Sequence, residues 1–128
     1  MTTLTRADWE ARAQQLQIEG RALIDGQLCD ALSGERFACI SPVDGRVLGE
    51  VASCAQADAD RAVAVARARF ESGVWSRMKP VERKKIMIRF ADLLDAHAEE
   101  LALLETLDMG KPIAFSLSVD VAGASRAI

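Results

Sequence analysis

The sequence predicts an α+β chain in which two short antiparallel β-hairpins precede a series of long helices. Asp25-Gly26 lies between two apolar runs and is a strong two-residue hairpin signal, because both turn positions require positive φ. The segment Pro42 to Gly45 is a second turn signal between β-prone runs. Beyond residue 56, apolar positions recur with helical spacing.

A short amphipathic helix is predicted ahead of the hairpins. Thr5 is a good N-cap, because its hydroxyl can accept a hydrogen bond from a backbone N–H of the first turn. The stretch from Arg6 to about Leu16 then repeats apolar side chains at helical spacing, namely Trp9, Ala13 and Leu16. Gly20 should end this region.

Two hairpins are predicted over residues 22–51. In the first, strands near 22–25 and 27–30 flank the Asp25-Gly26 turn. Ser33-Gly34 then turns the chain into a β-prone run from Arg36 to Ile40. Pro42 is preset for the first central position of a type I turn and Gly45 for its last, so the chain should return through Val47 to Val51.

Three helical regions are predicted after the hairpins. Residues 57–72 repeat apolar positions at helical spacing up to Gly73, their natural stop. Pro80 opens the region 80–108, which the periodicity permits as one helix or as two with a break near His97. Asp120 opens a third pattern over 120–128 that has no stop signal, so we expect the start of a truncated helix there. The apolar positions of the first region are Ala59, Ala62, Val63, Ala66 and Phe70.

Composition and charge exclude several functional classes. The chain has 128 residues, of which 50% are hydrophobic and 27% charged, as expected of one globular domain and not of a disordered chain. The net charge of −3 provides no broad basic surface for nucleic acid. There is no signal-peptide pattern, and no apolar run approaches the roughly 18 residues that cross a bilayer. We therefore expect a cytoplasmic protein with neither nucleic-acid nor membrane partners.

The residues predict no catalytic or cofactor-binding group within the chain. Cys29, Cys39 and Cys54 lack metal-ligand spacing and lack neighbours that would lower a thiol pKa, so we interpret them as reduced and structural. His97, the single histidine, lies in a charged helical segment with no identifiable nucleophile beside it. The eight glycines are spread singly, which excludes a glycine-rich phosphate loop.

The run Leu101 to Pro112, LALLETLDMGKP, resembles the end of the second long helix in the N-terminal part of aldehyde dehydrogenases. Four further strings match that family in the same order, and together the five cover the chain from about Leu23 onward. Ser41 stands where the family more often has Asn. The four strings are residues 37–45 (FACISPVDG), residues 58–63 (DADRAV) with Ala66-Arg67 and Phe70, Trp75-Ser76 with Pro80 and Arg83, and Gly123-Ala124 with Arg126.

Within that family, residues 4–26 and the segment 98–104 are most similar to bacterial γ-glutamyl-γ-aminobutyraldehyde and 4-guanidinobutyraldehyde dehydrogenases, which work in polyamine, putrescine or arginine breakdown. The resemblance implies that residues 1–128 are an α+β fragment of an α/β enzyme, with helices that would pack on a Rossmann-like NAD domain. It implies NAD or NADP as cofactor, a small aldehyde as substrate, the rest of the polypeptide as partner, and a homo-dimer or homo-tetramer. The family's catalytic Cys and Glu lie later in its sequence, so we expect this stretch alone to be inactive.

The resemblance also implies a monovalent cation site. In several family members the aspartate of the E-T-L-D string, here Asp108, binds K⁺ or Na⁺ together with backbone carbonyls that correspond to Cys39 and Ile40. Carboxylate and carbonyl oxygens are the ligands that hard cations prefer. From the residues alone, Glu105 and Asp108 share one helix face without an identifiable partner, and helix termination is the simpler interpretation of Glu105.

A stand-alone protein-interaction module is the alternative from a different functional class. It would be a helical domain with a β-hairpin cap that binds another protein through its Ala and Leu stripes. Such a module would expose a contiguous apolar patch larger than most soluble monomers show.

Overall fold

The computed structural model describes residues 4–128 and confirms the α+β fold class. Its first half contains one helix and four strands: α1 (Arg6–Gln15), β1 (Ala22–Ile24), β2 (Gln27–Cys29), β3 (Arg36–Ile40) and β4 (Val47–Ala52). Its second half is helical: α2 (Gln56–Ser72), α3 (Pro80–Ala96), α4 (Ala98–Met109), the single turn α5 (Ile113–Phe115), a π-helical segment (Ser116–Val121) and α6 (Ala122–Ala127).

Helix α1 begins with the cap that the sequence predicts. The backbone N–H of Asp8 donates to the Thr5 hydroxyl at 3.3 Å, and the Asp8 carboxylate accepts from the Thr5 backbone N–H at 2.8 Å. These reciprocal bonds form a capping box and satisfy two of the N–H groups that a helix start leaves without an intrahelical acceptor. The helix ends well before Gly20, because Leu16 already has extended backbone angles.

The four strands form two separate two-stranded antiparallel sheets, β1–β2 and β3–β4. Asp25 and Gly26 both have positive φ, at 56° and 73°, as a two-residue hairpin turn requires. The second turn is longer than the predicted type I turn: the N–H of Gly45 donates to the carbonyl of Ser41, four residues back, at 2.9 Å. Gly45 adopts a φ of 73°, which lets the turn accommodate the extra residue.

The helical half divides at two points. His97 separates α3 from α4, and its non-helical ψ of 16° interrupts the predicted region 80–108. Helical backbone resumes at Ile113, which is earlier than the start at Asp120 that the periodicity indicates. Pro112 explains this difference. A proline cannot continue α4, and the same Pro112 is the N-cap from which α5 begins.

The hydrophobic core is small. Helix α4 packs on the π-helical segment and α3 packs on α6. Among residues 4–128 the buried hydrophobic side chains are Ile24, Ala31, Ala52, Ala102, Leu103 and Val121. No helix in this part of the chain is long and apolar enough to traverse a lipid bilayer.

Candidate functional site

Two of the predicted cation-site residues meet where β3 passes the end of α4. The Cys39 thiol donates a hydrogen bond to Oδ1 of Asp108, with 3.1 Å between sulfur and oxygen. This hydrogen bond is the largest of three causes that raise the pKa of the Cys39 thiol above its ordinary value. Burial and the negative charge of the Asp108 carboxylate raise it further. A thiol held in its neutral form is a poor nucleophile, in agreement with the structural interpretation of Cys39.

The backbone around Cys39 and Ile40 is irregular. Cys39 pairs with Gly49 and Ile40 pairs with Val47, so the register shifts between these neighbours at a β-bulge. Within the described residues no group of three or more His, Cys, Asp or Glu side chains could hold a metal ion. A K⁺ or Na⁺ ion at Asp108 would therefore depend on the backbone carbonyl oxygens of Cys39 and Ile40 for its other ligands. This cation site stays a prediction.

The Gly110-Lys111-Pro112 run joins three elements of the fold. Gly110 has a φ of 74° and ends α4, with its N–H donating to the carbonyl of Thr106 at 3.0 Å. A Cβ at Gly110 would lie 3.2 Å from the Pro42 side chain, so the β3–β4 turn packs closely on this cap. The Lys111 ammonium forms a half-buried ion pair with Asp120 of the π-helical segment.

The ion pair between Lys111 and Asp120 could not be predicted from the sequence. From the sequence, Asp120 is expected only to begin a helix, with no indication that Lys111 lies near it. The π-helical segment brings them together, and a second link lies beside them: Thr106 donates to the hydroxyl of Ser116, a fully buried residue, at 3.2 Å. This junction therefore fixes the segment after Pro112 on α4.

The remaining candidate residues do not form a catalytic pair. The Cys29 thiol donates to the carbonyl of Ala22 at 3.5 Å, and Cys54 is exposed. The His97 imidazole lies 3.4 Å from the Glu100 carboxylate on the surface of α4. In the described part of the chain, no hydrogen bond joins a cysteine to the histidine.

Asp58 has a structural role that sequence reasoning missed. Its carboxylate is buried, and it accepts hydrogen bonds from the backbone N–H groups of Ala55 and Leu32, each at 2.9 Å. These two bonds lower the pKa of Asp58, because they stabilise the ionised carboxylate. The sequence indicates only that an acidic residue suits the first turn of α2. The contact with Leu32 ties that helix to the loop after β2.

The chain exposes far more surface than a self-contained protein of its size. Its accessible surface is 9343 Å², whereas the usual scaling for folded monomers gives about 6,700 Å² at this mass. The excess includes the stripe of α2, where Val63 is 68% exposed and Phe70 is 61% exposed. It also includes five apolar side chains of α3, each about half exposed: Val81, Ile86, Ile88, Phe90 and Leu93. On α3, Ile86, Phe90 and Leu93 lie on one side of the helix, and Val81 and Ile88 lie on the opposite side. We use the name α2–α3 apolar face for two exposed stripes, Val63 and Phe70 on α2 and Ile86, Phe90 and Leu93 on α3. Exposed apolar stripes of this kind are typical of surfaces that another polypeptide covers.

Comparisons with known proteins agree with the resemblance in the sequence. The model of the aldehyde dehydrogenase family matches residues 28–128. The NADP/NAD-dependent aldehyde dehydrogenase PuuC of Escherichia coli K12 is 48% identical over 95% of this chain and 25% of its own length. A Pseudomonas syringae indole-3-acetaldehyde dehydrogenase, solved with NAD⁺ and IAA, superposes with a TM-score of 0.96 and 67% identity, over 98% of this chain and 25% of that one.

A third relative is named for the substrate class that the sequence indicates. The γ-glutamyl-γ-aminobutyraldehyde dehydrogenase of Burkholderia cenocepacia has a TM-score of 0.95 and 53% identity, over 96% of this chain and 25% of that one. The chain therefore spans about a quarter of the length of the relatives it matches.

Proposed function

Because the chain belongs to the aldehyde dehydrogenase family, we propose that it forms the N-terminal part of an NAD(P)-dependent enzyme that oxidises an aldehyde to a carboxylic acid. The observation that carries this proposal is the superposition of nearly the whole chain, at 67% identity, on a quarter of a relative solved with NAD⁺. The strand, turn and helix strings match in one register, which an unrelated interaction module has no reason to share. The enzyme is therefore favoured over the stand-alone module.

In this proposal the role of residues 1–128 is structural. The α2–α3 apolar face would pack against the cofactor domain of the same subunit. The surface excess of roughly 2,600 Å² is counted on one side only, so a contact that covered it would bury about 5,200 Å² in total, at the upper end of permanent interfaces, about 2,000–5,000 Å². NAD(P), once bound there, would accept a hydride from the substrate. None of the side chains described above would touch the reacting atoms.

The proposed substrate is an amino- or guanidino-substituted butyraldehyde. The similarity to the Burkholderia protein supports this class, since that protein is named for γ-glutamyl-γ-aminobutyraldehyde. Indole-3-acetaldehyde is a second candidate, because the relative named for it has the higher identity, 67% against 53%. A homo-dimer or homo-tetramer and a cytoplasmic location belong to the same proposal.

The proposal also includes K⁺ or Na⁺ binding at Asp108 with the carbonyls of Cys39 and Ile40. The contact of β3 with the end of α4 supports it, because it brings the Cys39 side chain to Asp108. Thermal unfolding of the unsubstituted protein and of Asp108→Asn, each in different chloride salts, would test this cation site. KCl or NaCl should raise the melting temperature more than choline chloride does, and Asp108→Asn should remove that difference.

The activity is tested with the polypeptide encoded by the complete reading frame. Formation of NADH or NADPH is followed with γ-glutamyl-γ-aminobutyraldehyde, 4-guanidinobutyraldehyde, indole-3-acetaldehyde and acetaldehyde. We expect turnover, with the highest kcat/KM for one of the two butyraldehydes. Highest kcat/KM for indole-3-acetaldehyde would favour the second candidate. An absence of turnover with all four, or turnover by residues 1–128 alone, would overturn the proposal.

A further inference from the structure

The C-terminal end of α4 concentrates negative charge. Asp108 lies in the last turn of this helix, where backbone carbonyls without intrahelical partners give the helix end a partial negative charge. No basic side chain lies in that turn. A carboxylate at this end of a helix is electrostatically unfavourable, so a cation beside Asp108 would stabilise both the carboxylate and the helix end.

The ammonium group that follows Asp108 in the chain is paired elsewhere. Lys111 lies three residues after Asp108, but its half-buried ammonium pairs with Asp120. No ion pair within residues 4–128 includes Asp108. The chemistry of this helix end therefore fits a cation from solution, and carboxylate and carbonyl oxygens are suitable ligands for a hard cation such as K⁺ or Na⁺.

The side chain of Cys39 contacts the carboxylate that would hold this cation. Its thiol donates to Oδ1 of Asp108, with 3.1 Å between sulfur and oxygen. A hydrogen bond to one carboxylate oxygen restricts rotation of the group and so fixes the direction of the second oxygen, Oδ2. Sulfur is a soft ligand, so the thiol orients the carboxylate and does not itself bind a hard cation.

The contact between the β3–β4 turn and the end of α4 does not depend on this thiol. A Cβ at Gly110 would lie 3.2 Å from the Pro42 side chain and 3.5 Å from that of Val43, so the turn packs directly on the helix cap. The backbone also superposes with a TM-score of 0.96 on a relative of which it covers 25%. We therefore expect the longer polypeptide, and variants without the thiol, to keep this arrangement.

From the charge of the helix end and the thiol contact we propose that Cys39 is a positioning residue for the cation. Its thiol holds Oδ1 of Asp108 and leaves Oδ2 for K⁺ or Na⁺, while its backbone carbonyl and that of Ile40 are further ligands. The side chain at position 39 thereby sets the affinity for the ion without touching it. This inference rests on the cation site proposed above.

Sodium NMR on the purified polypeptide of the complete reading frame tests this role. Line broadening is measured over a range of NaCl concentrations at constant ionic strength in choline chloride, and the part that Asp108→Asn abolishes reports the site. Cys39→Ala removes the thiol, and Cys39→Ser keeps a donor. Cys29→Ala is the matched control, because the Cys29 thiol donates to the Ala22 carbonyl in the first hairpin. Melting temperatures in choline chloride show that each variant is folded.

We expect Cys39→Ala to weaken Na⁺ binding by about two- to tenfold, the range for loss of one hydrogen bond. Cys39→Ser should bind within about twofold of the unsubstituted protein, since its hydroxyl still donates, and Cys29→Ala should bind unchanged. If Asp108→Asn abolishes binding but Cys39→Ala binds as tightly as Cys29→Ala, the positioning role is overturned and the cation site stands. If Asp108→Asn binds Na⁺ as the unsubstituted protein does, the site and the role of Cys39 are both overturned.

Discussion

Replacing Gly20 with Ala should be among the most damaging single-methyl changes in this chain. The new Cβ would lie 1.9 Å from the Glu50 carbonyl oxygen and 2.9 Å from its carbon. Both are backbone atoms, so no side-chain rotation can relieve the clash. The segment at Gly20 and strand β4 would have to separate by more than 1 Å to reach the shortest distance that a real Cβ tolerates.

The magnitude follows from that displacement. Forcing one extra carbon into a packed contact costs about 1–3 kcal/mol. The same movement stretches the hydrogen bond from the Ala52 N–H to the Gly20 carbonyl, now 2.8 Å, which adds about 1 kcal/mol if it breaks. Since 1 kcal/mol moves the melting temperature of a chain this size by about 4 °C, a loss of about 4–16 °C is expected.

Thermal unfolding followed by circular dichroism measures this loss. Gly49→Ala is the matched control in β4, because its Cβ would make an ordinary contact of 3.6 Å with Ile18. We expect that variant to melt within about 2 °C of the unsubstituted protein, corresponding to about 0.5 kcal/mol. If Gly20→Ala melted at the same temperature as Gly49→Ala, the close approach of Gly20 to Glu50 would be refuted.

Two further predictions concern titratable groups. Asp58→Ala should lower the free energy of unfolding measured in urea more than Asp60→Ala does, because the Asp58 carboxylate accepts two backbone hydrogen bonds. The lowered pKa of Asp58 means that its ionised form stabilises the fold above the ordinary pKa, and that this contribution is lost as the pH falls through the lowered value. If the free energy of unfolding fell equally with decreasing pH in the Asp58→Asn variant and in the unsubstituted protein, this stabilising role of the Asp58 carboxylate would be contradicted. Iodoacetamide should alkylate exposed Cys54 faster than Cys39 at neutral pH, since the raised pKa of Cys39 reduces its thiolate fraction. Mass spectrometry of the digested protein measures both rates, and faster labelling of Cys39 would contradict the hydrogen bond to Asp108.

Features that depend on neighbouring residues could be predicted from the sequence. The Thr5 cap, the Asp25-Gly26 turn and Gly73, which ends α2, each involve residues within four positions of one another. Their backbone conformations follow from local chemistry: a hydroxyl that accepts from an N–H, or a glycine that adopts positive φ at little cost. The second turn shows where this local reasoning fails. With Pro42 at its second position, Gly45 is its fifth residue, whereas the predicted type I turn has only four.

Features that depend on distant residues were missed. Gly20 was predicted only to end a helical region, whereas its real constraint is the approach of Glu50, thirty positions away in the chain. Asp58 and Asp120 were assigned to helix starts, and their partners Leu32 and Lys111 come from other elements. No spacing rule connects these pairs, because the fold alone brings them into contact.

The apolar stripes show a different limit of what helical periodicity can predict. Helical periodicity identified Val63 and Phe70 as one face of α2, but periodicity cannot say what covers a face. Within the described residues both side chains remain more than 60% exposed. Only the family resemblance suggests that a larger body lies against them.

The most direct test of the central claim is hydroxyl-radical footprinting of the α2–α3 apolar face. Oxidation of Phe70 and Phe90, exposed here by 61% and 49%, is compared between residues 1–128 and the polypeptide of the complete reading frame. If these helices pack on a cofactor domain of the same subunit, both side chains should be strongly protected in the longer polypeptide. Equal oxidation of Phe70 and Phe90 in the two polypeptides would contradict the claim.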